Sequence, residues 1–209
     1  MRIFLKILES DKKLEDSILE ELSIEINSRV RKNLRATEFK MKVAIGNWIR
    51  QQPEVADMLA NGTPGSLNAQ LGFPAGQAGL SINSIIDAVV NSISFDIKPL
   101  DRKLRGRIEI NIQPSTFFNV LNLPAAVIFA ESGPLNWLSW MLKEGTKTIV
   151  FDYEYKPSKF GRSGGGYMKK GGIWRIPPQF AGTTEDNFIT RAFRDREDEL
   201  SQILQGIFF

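Results

Sequence analysis

Between Gly161 and Gly172 the chain carries six glycines in twelve residues, and this run constrains the fold more than any other feature. Glycine loses more backbone freedom on folding than any other residue, so ordering such a run is costly. A loop of that length is either functional or disordered. The flanking sequence reads as regular structure. Pro134 to Gly145 is an aromatic-rich helix, with proline in its first turn and glycine past its end. Thr148 to Tyr155 is a strand, Lys159 to Gly172 a glycine-rich basic loop, and Ile173 to Ile176 a second strand running into Pro177 and Pro178. Phe180 to Phe193 reads as a turn, a capped helix start at Thr183 or Thr184, and a helix that continues through Leu200, Ile203, Leu204 and Ile207. The expectation is a hairpin between two helices, with a long mobile tip.

Upstream, Arg2 to Leu8 is a short strand or an arm. Leu14, Ile18, Leu22, Ile26, Val30 and Leu34 recur every four residues, a narrow helical stripe capped by Ser10 or Asp11. Its first half is acidic (Glu15, Asp16, Glu20, Glu21, Glu25) and its second basic (Arg29, Arg31, Lys32, Arg35), the order that the helix dipole favours. Thr37 is placed to cap a second helix with Met41, Ile45, Trp48 and Ile49 on one face, broken at Pro53 and ended at Asn61–Gly62. A helical turn is expected at Ser66–Leu71 and an amphipathic helix through Ile82, Ile85, Ile86, Val89, Val90 and Ile93. Phe95–Pro99 reads as extended, and Arg107–Ile112 alternates as a half-buried antiparallel strand. Phe117–Leu123 is ambiguous, and Pro124–Phe129 has the apolar run of a buried strand. The class is α+β: a helical N-terminal half, a small antiparallel sheet of about three to five strands with a long hairpin loop, packed helices and a C-terminal helix. Residues 1–60 form a helical arm and 61–209 the α+β body.

Composition narrows the chemistry. The chain has no Cys and no His. Disulfides, thiolate metal sites and cysteine nucleophiles are excluded, and the commonest metal ligand and general base are missing. Ser132, Ser139 and Ser163 would each need a lysine as base, and no acidic constellation has metal-loop spacing. No enzyme activity, cofactor or metal is expected. Nor is there an apolar run of membrane-spanning length or a signal peptide, which points to a chain kept in the cytoplasm. The net charge of +3 is too mild to name nucleic acid as a partner by itself.

Two basic clusters stand out locally. Lys159, Arg162, Lys169 and Lys170 lie in the glycine-rich stretch with Phe160 and Tyr167 among them. Such a segment suits ordering against an acidic partner or a polyanion. A phosphate loop is not expected, because Gly-Lys-Ser/Thr is missing and the run joins two strands. Arg102, Lys103 and Arg105 lie in a turn before a strand; they read either as a solvated turn or as a contact with DNA or a neighbouring subunit. Trp137, Trp140 and Trp174 read as core aromatics rather than a ligand cage.

Several runs resemble the virion morphogenesis and tail-completion proteins of tailed bacteriophages. They are Gly65-Ser-Leu-Asn-Ala-Gln-Leu-Gly72, Pro134-Leu-Asn-Trp-Leu-Ser-Trp-Met-Leu-Lys-Glu-Gly145, Gly161-Arg-Ser-Gly164, Trp174-Arg-Ile-Pro-Pro-Gln-Phe-Ala-Gly-Thr183 and Asp186-Asn-Phe-Ile-Thr-Arg-Ala192. The likeness covers residues 60 to 195 of the 209. It implies a virion protein assembled in the host cytoplasm, a homo-oligomeric ring (six- or twelve-fold) at the head–tail junction. Its neighbours would be neck, portal or tail-tube proteins, with non-specific contact to packaged DNA and none to membrane. Alternatives are a tail terminator ring capping tube and sheath, or a stand-alone basic nucleic-acid-binding module.

Overall fold

A single helix, α1 (Asp11–Arg50), runs for 40 residues. Gly46 is its one glycine and it holds no proline, so nothing breaks it before Pro53. The break expected at Thr37 does not occur: Thr37 is buried in mid-helix, because the Leu34-Arg35-Ala36 run before it holds helical backbone and leaves no end to cap. The computed structural model describes residues 10–112, 116–130 and 133–208. The expected arm at Arg2–Leu8 lies outside them.

After α1 come α2 (Pro53–Leu59), α3 (Leu67–Gln70), α4 (Gln77–Asn91), β1 (Ser94–Lys98), β2 (Arg107–Asn111), α5 (Phe118–Leu121) and a 3-10 turn at Pro124–Ala126. They are followed by β3 (Ile128–Ala130), β4 (Gly133–Leu135), α6 (Trp137–Leu142), β5 (Val150–Pro157), β6 (Gly166–Trp174), α7 (Phe188–Arg191) and α8 (Glu197–Gln205). The fold is α+β. Its strands form three separate two-stranded antiparallel pairs, β1–β2, β3–β4 and β5–β6, in place of one shared sheet. The described chain divides into two compact units.

The first unit takes α1 as far as Met41, Ser94–Asn111, and the C-terminal segment from Glu197. Phe95 faces Ile110 and Ile97 faces Ile108 across the β1–β2 pair, the half-buried side of a clean alternation. Two asparagines of α1 fasten this unit. The Asn27 amide donates to the Leu100 carbonyl (3.0 Å) and accepts from the Leu100 N–H (2.8 Å), and Asn33 donates to the Ile207 carbonyl (3.2 Å). Its core is slight: among its described residues the buried apolar side chains are Val30, Met41 and Ile207.

The second unit, Lys42–Ile93 with Ile112–Arg196, holds the larger core. Ile45, Ile49, Met58, Ile85, Phe73, Trp137 and Phe188 are fully buried there. Pro134 belongs to β4, paired with Phe129, rather than to the first turn of α6. Each strand of a two-stranded pair is an edge, and an edge tolerates a residue with no N–H. Phe129, expected in a buried strand, is 74% exposed. The expected C-terminal helix is two helices with a break between them, where Asp195 takes φ +57°. Thr183 and Thr184 do not cap it. Asn187 caps α7, accepting from the Ile189 and Thr190 N–H groups (3.0 and 3.1 Å), while Thr190 Oγ1 accepts from the Asn187 N–H (2.9 Å). Thr183 Oγ1 accepts from the Asp186 N–H one turn earlier.

Glu54 of α2 is 1% exposed and is paired with Arg191 of α7, its other carboxylate oxygen lacking a hydrogen bond. Arg191 also holds Asp186 (2.8 Å), which keeps the Asp186 carboxyl below its usual range. Removing one member of a buried pair strands the other charge. Arg191→Met is therefore expected to cost about 3–5 kcal/mol in urea unfolding, and Glu54→Gln on that background to recover part of it. An unchanged midpoint in Arg191→Met would show that Glu54 does not rely on the pair.

Candidate functional site

The β5–β6 hairpin carries the glycine-rich stretch, and most of that stretch is strand. Gly166–Trp174 pairs with Val150–Pro157, which leaves residues 158–165 as the connection. The expected long mobile tip is thereby corrected, and the glycines have two separate reasons. Gly171 and Gly172 take φ of +104° and +88° beside a register shift between Phe151 and Tyr153, where the ribbon bulges. Gly165 and Gly166 are buried by close approach. A methyl built on Gly165 would lie 2.6 Å from Ala69 Cβ, and one on Gly166 would strike the Tyr155 ring. Tyr155 ties the connection down: its hydroxyl donates to the Gly165 carbonyl (2.7 Å) and accepts from the Gly65 N–H (3.1 Å). Burial pushes its pKa up despite the Gly65 hydrogen bond. The Gly65 N–H also reaches the Gly165 carbonyl, and Ser163 Oγ accepts from the Gly165 N–H. Ser163 is buried, its hydroxyl engaged in this turn.

The ribbon's outer surface is apolar and cationic. Phe151 and Ile173 face each other in register and are 68% and 58% exposed; Phe160 is 77% exposed. Lys169 lies opposite Glu154 and Lys170 opposite Tyr153, so the adjacent lysines point to opposite faces. Glu154 pairs instead with Lys156 at 2.9 Å. Among the described residues no ion pair is made by Lys159, Arg162, Lys169 or Lys170. An open cavity of about 640 Å³ lies against this ribbon. Trp140 and Trp174 meet edge to face in it, with centroids 6.1 Å apart, and the Trp174 N–H donates to Gln70 Oε1 (3.3 Å). Tyr153, Tyr155 and Met168 also line it, and Arg162 contributes the cation. Such a cavity accepts an apolar side chain, and the guanidinium beside it suits a carboxylate.

The three tryptophans therefore differ. Trp137 is fully buried in the core, its N–H donating to the Ala125 carbonyl (2.8 Å) and its ring against Phe73. Trp140 and Trp174 are packed side chains that also line the cavity.

The second basic cluster belongs to the other unit, in the turn joining β1 to β2. Arg102 pairs with Glu20 (2.9 Å) and Arg105 with Asp101 (3.2 Å). Asp101 also accepts from the Lys103 and Arg105 N–H groups (2.8 and 2.9 Å), and the Arg105 backbone bond leads in holding its carboxyl below the usual range. These exposed pairs shape a turn and contribute little stability. Sequence reasoning missed Phe151, Tyr155 and Ile173. Period-two alternation assigns them to faces only once the bulge at Asp152 is known, and the run of glycines is the one trace of it. Among the described residues no three acidic side chains gather as a metal ion would require.

Trp174→Ala is expected to cost about 3–5 kcal/mol in urea unfolding, from the lost ring and the cavity left behind. Tyr155→Phe is expected to cost about 1 kcal/mol for its hydrogen bonds. Equal effects of the two would contradict this division of roles. No family model, curated protein or solved structure matches this chain.

Proposed function

We propose that this chain is a structural virion protein of a tailed phage, a subunit of a ring at the head–tail junction that joins capsid portal to tail and acts without catalysis. The observation that carries the reading is the β5–β6 surface. Exposed Phe151, Phe160 and Ile173 stand beside cations that have no ion pair among the described residues, next to an aromatic cavity. Exposed apolar side chains grouped on one element mark a contact site. Aromatic and arginine side chains are the residues that dominate interface energies. The runs resembling neck and tail-completion proteins include the residues around this cavity, Gly65–Gly72, Gly161–Gly164 and Trp174. Within that reading the tail-terminator ring remains the alternative position.

A second reading, a stand-alone module gripping DNA, draws on the same cations. Phosphate contact by four such side chains would make binding fall steeply with salt.

Ile173→Asp and Phe151→Ser are expected to change stability by no more than about 0.5 kcal/mol, as exposed substitutions do. Both should block incorporation of the chain into particles, read by complementation and by protein content of purified virions. Normal incorporation of both variants would sink the assembly reading. Tight, salt-sensitive binding of DNA by a purified monomer would favour the second.

A further inference from the structure

The outer face of α1 has a pattern that matches itself when reversed. At about 100° per residue, a four-residue spacing gains about 40° each step, so the Leu14–Leu34 stripe winds round the helix. Of its later members, Val30 is buried, sharing a cleft with Ile97 and Ile108 of β1–β2, and Leu34 is half-buried; its first members are left outside. Leu14, Ile18 and Leu22 are 38%, 51% and 44% exposed, and Phe39 is 68% exposed. Taking alternate steps of four and three from Leu14 to Phe39 selects eight positions, and every one is exposed. Such spacing keeps side chains on one side of a helix. The ends of this face are apolar, with Leu14 and Ile18 at one end and Phe39 at the other. Its middle is charged in sequence: Glu21 and Glu25, then Lys32 and Arg35.

We infer that α1 pairs through this face with α1 of a second copy of the chain, antiparallel and about a two-fold axis near Ser28. In that register Ile18 lies opposite Phe39 and Glu25 opposite Lys32, each twice by symmetry. Glu21 comes beside Arg35, and Leu22 packs on the stem of Arg35. A parallel pair would set Glu21 on Glu21, Glu25 on Glu25 and Lys32 on Lys32, and like charges in contact are strongly disfavoured. Charge thus selects both the partner and its direction. Glu25 now pairs with Arg29 of its own helix at 2.7 Å, with both side chains more than half exposed. Such a pair is weak and is readily traded for one across the interface. The slight core among this unit's described residues points the same way, since small units short of buried apolar surface are commonly completed by association. The contact closes on itself, as a two-fold interface must, and stands independently of the ring proposal.

The absence of native cysteine makes the test direct. The purified full chain is expected to sediment at twice its 23.6 kDa mass. Ser28→Cys should crosslink to itself on oxidation. Ile18→Cys alone should not, because its two copies lie about 30 Å apart at a rise of 1.5 Å per residue. Mixing Ile18→Cys with Phe39→Cys should give the mixed disulfide. Glu25→Lys should weaken association by about tenfold or more, and adding Lys32→Glu should restore it. A monomer at every concentration would overturn the inference. So would self-crosslinking of Ile18→Cys, or a larger assembly in which Ser28→Cys stays unlinked. Incorporation of the hairpin variants into particles reads the ring proposal separately.

Discussion

The Glu54 carboxylate is the constraint around which the larger unit is built. A charge with 1% exposure is tolerated only beside an opposite charge, and α7 supplies it through Arg191 from 137 residues further along the chain. That requirement fixes where α7 starts. Burial pulls the Arg191 pKa down, but Asp186 and Glu54 outweigh it, and the guanidinium lies above its ordinary range. Asp186 is also the residue before the Asn187 cap, so the groups that hold Arg191 and the groups that begin α7 are neighbours in sequence. A helix of four residues has little stability of its own. Here a capping box at one end and a buried ion pair at the other replace it.

Much of this was legible in the residues alone. The β2 strand followed from alternation, β1 from the extended reading of Phe95–Pro99, α4 from its apolar face, and the stop of α1 from Pro53. At Thr37 and Pro134 a residue suited to a boundary sat inside a helix and a strand, because local preference is weak wherever neighbouring helix formers or an unpaired strand edge accept it. Thr183 closes a turn one step before α7, and Asn187 supplies the cap. The glycine stretch failed more instructively. Glycine signals both freedom and close approach, and sequence does not distinguish them. Gly165 and Gly166 are there because Ala69 and the Tyr155 ring leave no space for a side chain. The candidate site was half legible: its cations are readable as a run in the chain, but which face each takes, and the exposed apolar pair Phe151 and Ile173, depend on a register that no pattern in the chain states.

The two basic clusters illustrate why counting charge misleads. In the β1–β2 turn, Asp101 and Glu20 take up Arg105 and Arg102, so the charge is spent on shaping a loop. On β5–β6 the acid opposite Lys169, Glu154, is taken by Lys156. The same residue types thus have different consequences, set by the carboxylates in each neighbourhood. A surface with unmatched cations and exposed aromatics loses hydration only when something acidic or apolar arrives, which is the condition for specific rather than indiscriminate contact.

The exposed apolar residues of α1 raise the opposite question, how a chain keeps such a face in water. Their spacing answers it. Leu14 and Ile18 are separated from Phe39 by a charged middle, so the two exposed apolar ends do not join along the helix. Reversal of a second helix is what brings apolar ends together and lets the acidic and basic halves meet. Salt weakens the charged middle and strengthens the effective burial of the ends. Direction therefore resides in the charges and cohesion in Ile18 and Phe39, and the two respond oppositely to the same change of solvent.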